Sequence, residues 1–176
     1  MIVSLTGTPG TGKTAAAAKL REAGENVIDI HQYIEENRLK EKFDKKRDTY
    51  NVDPNKLNAS LTASLRKDSR VFLDGHLSHF LNCNIIIVVR CNPSVLYERL
   101  KKRNYPEKKI IENVQAEALD VILCESLGSN AHVFEIDNTS CTLEQAASMI
   151  YDIVNGRTER YVPGSVNWSE EMEKWC

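Results

Sequence analysis

Eight residues near the start of the chain, Gly7-Thr8-Pro9-Gly10-Thr11-Gly12-Lys13-Thr14, fit the pattern G-x-x-x-x-G-K-[ST] and restrict the fold more than any other feature. Their context carries as much weight as the match. Met1 to Leu5 is a short apolar, β-branched run that reads as a buried strand. From Lys13 to Ala23 the chain passes through four consecutive alanines and reads as a helix stopped by Gly24. A glycine loop between a strand and a helix lets main-chain N–H groups converge on an anion, where the helix dipole favours negative charge. Lys13 then supplies a point charge to the β- and γ-phosphates of a nucleoside triphosphate. The Thr14 hydroxyl supplies a hard oxygen ligand for Mg²⁺.

The rest of the chain alternates. Val27 to Ile30, Val71 to Leu73, Ile85 to Val89 and Val133 to Ile136 read as strands. The fully apolar Ile85–Val89 run suits the centre of a parallel sheet. Between the strands, Pro54 opens a helix to about Lys67, Asn92-Pro93 opens one to about Arg103, and Pro106 opens a longer one ending near Gly128. Thr142 and Gln145 form a capping box for a helix that ends at Asn155-Gly156. His31 to Val52 is polar and charged, and reads as one helix and an exposed loop. The expectation is an α/β, three-layer P-loop fold with a parallel five-stranded sheet. It spans residues 1–156, with an appended tail over 157–176. That tail carries Trp168 and Trp175 and reads either as a partly ordered terminus or as a segment packed on the body or a partner.

Composition excludes several classes. With 176 residues and 41% hydrophobic side chains the chain suits one domain with an ordinary core. A formal net charge of -2 gives no global attraction to nucleic acid or an anionic membrane. No apolar run is long enough to span a bilayer, and Met1 to Leu5 has no basic region of a signal peptide. The five cysteines lack metal-ligand or redox spacing and cannot all pair, which points to reduced thiols inside the cell, in the cytoplasm.

Three further positions stand out. Asp74 ends an apolar strand, where ligands of open α/β sheets bind, so its carboxylate either holds Mg²⁺ or caps a turn with Gly75. His76 is either structural or part of the chemistry. Arg99 and Arg103 share a helix face beside Asn104-Tyr105-Pro106, and a mobile arginine there can neutralise a transferring phosphoryl group. The region from about 99 to 113 then reads as a lid, with the neighbouring lysines a solvated face that can also touch RNA. Residues 29–53 form the natural acceptor region, where Arg38, Lys45, Lys46 and Arg47 offer charge for an acceptor phosphate.

These residues resemble a family. The loop, Asp74-x-His76, Val95-Leu96-Tyr97-Glu98-Arg99-Leu100, Arg103-x-Tyr105-x-Glu107-Lys108-Lys109 and Asn113-x-Gln115-x-Glu117 resemble the adenylate kinase isoenzyme 6 family, including its archaeal-type members, over roughly residues 1–155. The resemblance implies a nucleoside monophosphate kinase fold and ATP:AMP phosphotransfer with some ATPase activity. It also implies a part in maturing the small ribosomal subunit and its rRNA through ribosomal protein uS11. Carried over by position, Gly10, Thr11, Gly12, Lys13, Thr14 and Ala15 bind ATP, Arg103 is the lid arginine, and Asp74 and His76 organise Mg²⁺ and the attacking water or acceptor. Two motifs depart from the family. Asp74-Gly75-His76-Leu77-Ser78 replaces Asp-Tyr-His-Gly-Cys, and Asn104 replaces a lid glycine. Asparagine tolerates the positive φ that such a turn needs.

Overall fold

The computed structural model describes residues 1–44, 49–65 and 70–176. Its centre is a sheet of five parallel strands: β1 (Ile2–Thr6), β2 (Asn26–Asp29), β5 (Val71–Asp74), β6 (Ile85–Arg90) and β7 (His132–Asp137). Their spatial order is β2-β5-β1-β6-β7. Ile86, Ile87, Val88 and Val89 of β6 are each at most 1% exposed. Each such side chain stabilises the fold by about 1.5–3 kcal/mol relative to exposure, which explains the unbroken apolar run in an interior strand.

Helices cover both faces. α1 (Lys13–Glu22) and α7 (Leu143–Val154) pack on one side through Ala16, Ala17, Leu20, Ala146 and Ile150. α2 (Ile30–Glu36) and α3 (Pro54–Ser64) pack through Ile30, Ile34, Leu57 and Leu61 in a second cluster around Leu73. Caps set several boundaries. Asn92 accepts from the Ser94 and Val95 N–H groups to start α4 (Pro93–Lys102), and Thr142 and Gln145 close the capping box of α7.

The structure differs from the sequence reading in three places. The expected loop before Val52 contains an antiparallel pair, β3 (Lys40–Asp44) with β4 (Thr49–Val52). The long helix expected from Pro106 is two, α5 (Glu107–Ala118) and α6 (Val121–Leu127). Asp120 breaks it with φ 55, a left-handed conformation that aspartate tolerates, and pairs with Arg90 instead of continuing the helix. The C-terminal tail forms a helix that the sequence did not signal, α8 (Ser169–Trp175), while Trp175 packs against the α4–α5 cluster of Leu96, Leu100, Ile110 and Val114, one of the two arrangements expected for the tail. The expected end of α3 at Lys67 lies outside the described residues, and the helix is seen to Ser64. No helix among the described residues is long and apolar enough to cross a membrane.

Candidate active site

Parallel register places one end of every strand at one level. Leu5 and Asp29 both lie opposite Asp74, so the loop after β1 and the ends of β2 and β5 meet at the carboxyl edge of the sheet. There the chain from Gly7 to Gly12 curls between β1 and α1. A Cβ on Gly7 would come within 2.3 Å of the Val89 carbonyl oxygen, and one on Gly12 within 2.2 Å of Asn138 Nδ2. Both glycines also have positive φ, 137° and 105°. Gly12 begins α1 without a side-chain cap, and its first turn holds no acid, so the dipole there is left to an incoming anion.

Lys13 is folded into the loop, 7% exposed, with Nζ donating to the Thr8 carbonyl at 2.9 Å. Burial lowers its pKa to about 8, against the opposing charges of Asp74 and Glu117 and with help from Arg103. Thr11 turns inward. Its N–H and hydroxyl both donate to the Thr8 carbonyl, at 3.2 and 3.0 Å. Its own carbonyl accepts from Asn138 Nδ2 at 2.7 Å. Thr14 is exposed, and Ala15 next to it is half-buried.

Asp74 is 3% exposed, and neither carboxylate oxygen has a hydrogen-bond partner among the described residues. Burial raises its pKa, and Lys13 and the nearby Thr14 hydroxyl act in the opposite direction. Such an orphaned buried carboxylate costs stability unless something meets it. A hard cation beside a threonine hydroxyl does so, so these residues fit Mg²⁺. His76 is exposed at the rim of the cleft. Desolvation by the cleft walls and then the Lys13 charge lower its pKa, so the imidazole is neutral at pH 7.

Arg103 caps the C-terminus of α4 and is exposed, and Asn104 follows with φ 56. Arg99 does not share that freedom. Its guanidinium donates to the carbonyls of Asn138 and Thr139 at 3.0 and 2.8 Å and lies 3.4 Å from that of Thr11. Arg99 instead ties the 138–139 loop to the phosphate loop, and the exposed arginine at the turn is Arg103, the one expected as the lid arginine. Of the acceptor-region cations, Arg38 is exposed with φ 55, while Lys45, Lys46 and Arg47 lie outside the described residues.

A cavity of about 340 Å³ opens beside His76, walled by Tyr50, Val52, Leu57, Leu77 and Phe80. Tyr50 comes from β4, in the segment whose polar sequence predicts an exposed loop. A larger cavity of about 640 Å³ involves Ile2, Asn84 and Ala131, at the strands' amino ends, away from the phosphate loop.

The sequence reading assigned no role to a buried charge cluster behind the loop. Arg90, 1% exposed at the end of β6, donates to Glu117 at 2.7 Å and to Glu135 at 2.8 Å, and also pairs with Asp120. Burial opposes its charge, but Glu117 and Asp120 outweigh burial and raise its pKa. The one signal in the sequence was an arginine closing an otherwise apolar strand.

A parallel sheet carrying this loop defines a P-loop phosphate-binding protein, and a family profile described as an AAA domain matches residues 3–120. "Putative adenylate kinase" of Methanocaldococcus jannaschii is 42% identical over 97% of this chain and 94% of its own length. The protein of the same name from Archaeoglobus fulgidus is 42% identical over 98% of this chain and 94% of its own length. The chain belongs to this archaeal-type adenylate kinase family, and the similarity extends into the C-terminal arm, beyond the 1–155 span of the resembling motifs. Among solved structures, deoxyadenosine kinase from M. mycoides with bound dATP superposes with TM-score 0.55 at 14% identity, over 89% of this chain and 100% of that one. Shikimate kinase from Bacteroides thetaiotaomicron superposes with TM-score 0.58 at 17% identity, over 88% and 98%. At these identities the likeness is one of fold.

Proposed function

We propose that the protein is an ATP-dependent nucleoside monophosphate kinase that converts ATP and AMP to two ADP. The observation that carries this reading is the adjacency of two sites at one sheet edge. The phosphate loop with Lys13 lies on one side, the apolar and aromatic cavity of Tyr50 and Phe80 on the other, and Asp74 and His76 lie between them. A hydrolase needs only the first. A kinase needs a second pocket for the acceptor, and a cavity lined by apolar and aromatic side chains suits a nucleobase. The family's name and the nucleoside-kinase-like fold support the same reading.

The chemistry is positioning and charge neutralisation. Main-chain N–H groups of Gly10, Gly12, Lys13, Thr14 and Ala15 bind the triphosphate at the start of α1. On entry of the phosphates the Lys13 ammonium leaves the Thr8 carbonyl for the β- and γ-oxygens. An oxygen of the AMP phosphate forms a bond to the γ-phosphorus as the bond to the β,γ-bridging oxygen breaks, and both nucleotides end as ADP. That acceptor is already ionised, so no general base is required. Arg103 neutralises the equatorial oxygens, and neutral His76 orients the acceptor phosphate. Thr14 and Asp74 would hold Mg²⁺, which would supply further stabilisation of the negative charge that develops on phosphoryl transfer.

The family resemblance extends the proposal to ATP hydrolysis and to handling of uS11 on the pre-ribosomal small subunit. The His76 imidazole at the cleft rim, neutral and able to hydrogen-bond and orient a water, supports the hydrolytic part. One assay tests these readings: ADP formation from Mg-ATP with and without AMP. Strong stimulation by AMP with two ADP per turnover is expected. AMP-independent hydrolysis that rises with uS11 would instead make the switch the main role.

A further inference from the structure

Three segments far apart in sequence converge on one carboxylate. Glu117 of α5 is 2% exposed and accepts four hydrogen bonds. The Thr8 hydroxyl donates to it at 2.5 Å, Arg90 Nε at 2.7 Å, the Cys91 N–H at 3.2 Å and the Trp168 indole N–H at 3.3 Å. Thr8 is itself 1% exposed, and its carbonyl receives Lys13 Nζ and both donors of Thr11. The residue that Glu117 anchors is thus the one around which the phosphate loop is organised.

The other end of this chain of contacts is the C-terminal arm. The Val166 N–H donates to Glu135 at 3.0 Å, and the Trp168 ring lies 6.0 Å from the Arg90 guanidinium. Gln115, on α5 with Glu117, donates to the Trp175 carbonyl at 2.9 Å. The arm therefore holds α5 in place and keeps water from the Arg90–Glu117–Glu135 cluster. A buried charge network specifies one geometry only when every member is satisfied, and the arm supplies the last donors.

We propose that the C-terminal arm completes the phosphate-binding loop: Trp168 fixes Glu117, Glu117 fixes Thr8, and Glu117 and Trp168 are positioning residues for the triphosphate. The proposal rests on the reading that this loop binds ATP. With the Thr8 hydroxyl released, the loop spends less time in its competent form. Apparent affinity falls by that fraction, while transfer after binding is little changed.

The test is the dissociation constant of Mg-ATP, measured by titration calorimetry on the full chain and on Thr8→Val, Glu117→Gln and Trp168→Phe, with a urea midpoint for each. Dissociation constants about tenfold higher are expected for the first two and about threefold higher for Trp168→Phe. Thr8→Ser restores the wild-type value. The double variant Thr8→Val/Glu117→Gln is no weaker than the worse single variant, because both act through one contact. Wild-type affinity in Thr8→Val or Trp168→Phe, or full additivity in the double variant, overturns the proposal. Thr8→Val changes no charge and decides the matter if Glu117→Gln does not fold. A wild-type chain that binds Mg-ATP but transfers nothing to AMP would sink the kinase reading alone. One that binds no Mg-ATP would sink both.

Discussion

Lys13 Nζ donates a hydrogen bond to the Thr8 carbonyl at 2.9 Å, so the loop's only lysine occupies the loop's own interior. The phosphates of ATP must replace that carbonyl as its partner. Replacing Lys13 with alanine removes the one side-chain charge inside the loop. We expect kcat to fall about a hundredfold to a thousandfold, in the range of losing one preorganised charge contact. Coupled-enzyme measurement of ADP formation checks this, and a near-normal rate would contradict the mechanism.

The same lysine gives a pH dependence with a definite sign. Burial holds its pKa near about 8 in the free protein, below the ordinary value. Bound phosphate anions favour the ammonium and raise that pKa. Between about 8 and the bound-state pKa, binding must therefore take up a proton, and affinity falls as pH rises. We expect Mg-ATP to bind roughly tenfold more weakly at pH 9 than at pH 7. Calorimetry in buffers of different ionisation enthalpy should also show the proton uptake at pH 9. A flat profile would place the lysine pKa elsewhere.

Asp74 should trade stability for function. Its folded pKa is raised, so the ionised form is disfavoured by folding. That penalty is present at pH 7 and disappears as pH falls through the folded pKa. Asp74→Asn is expected to stabilise the protein by about 1 kcal/mol at pH 7, with a smaller gain near pH 4. Its Mg-dependent transfer rate should fall at least about a hundredfold. Urea unfolding at the two pH values, paired with a rate assay, tests both halves. A destabilised variant would show that the carboxylate is satisfied after all.

Arg90→Met leaves Glu117 and Glu135 buried without their counter-charge. The expected loss is about 3–5 kcal/mol, the usual result of breaking a buried pair on one side. A urea midpoint close to wild type would show that the cluster relaxes into water.

How much of this was legible before the structure depends on how local each cause is. The loop from Gly7 to Thr14 could be read because its glycines, lysine and flanking elements are adjacent in sequence. Asn104 could be read for the same reason, since its φ of 56° follows from its own side chain. The break at Asp120 could not, because it pairs with Arg90, 30 positions away. β3 and β4 went unread because they form a separate two-stranded pair with a weak apolar alternation. The arm's helix holds no buried residue of its own, so no periodicity announced it. Within the site, Asp74 was placed by its strand end. Arg99 and Arg103 looked alike in sequence, and only the carbonyls of Asn138 and Thr139 separate them.

The bond between Thr8 and Glu117 spans 109 positions, and a ribosome delivers the loop long before its anchor. A nascent chain thus carries a finished-looking anion motif whose hydroxyl has nothing to hold. Closing so long a loop is entropically slow. The capacity to grip a nucleotide should therefore be among the last properties the newborn protein acquires.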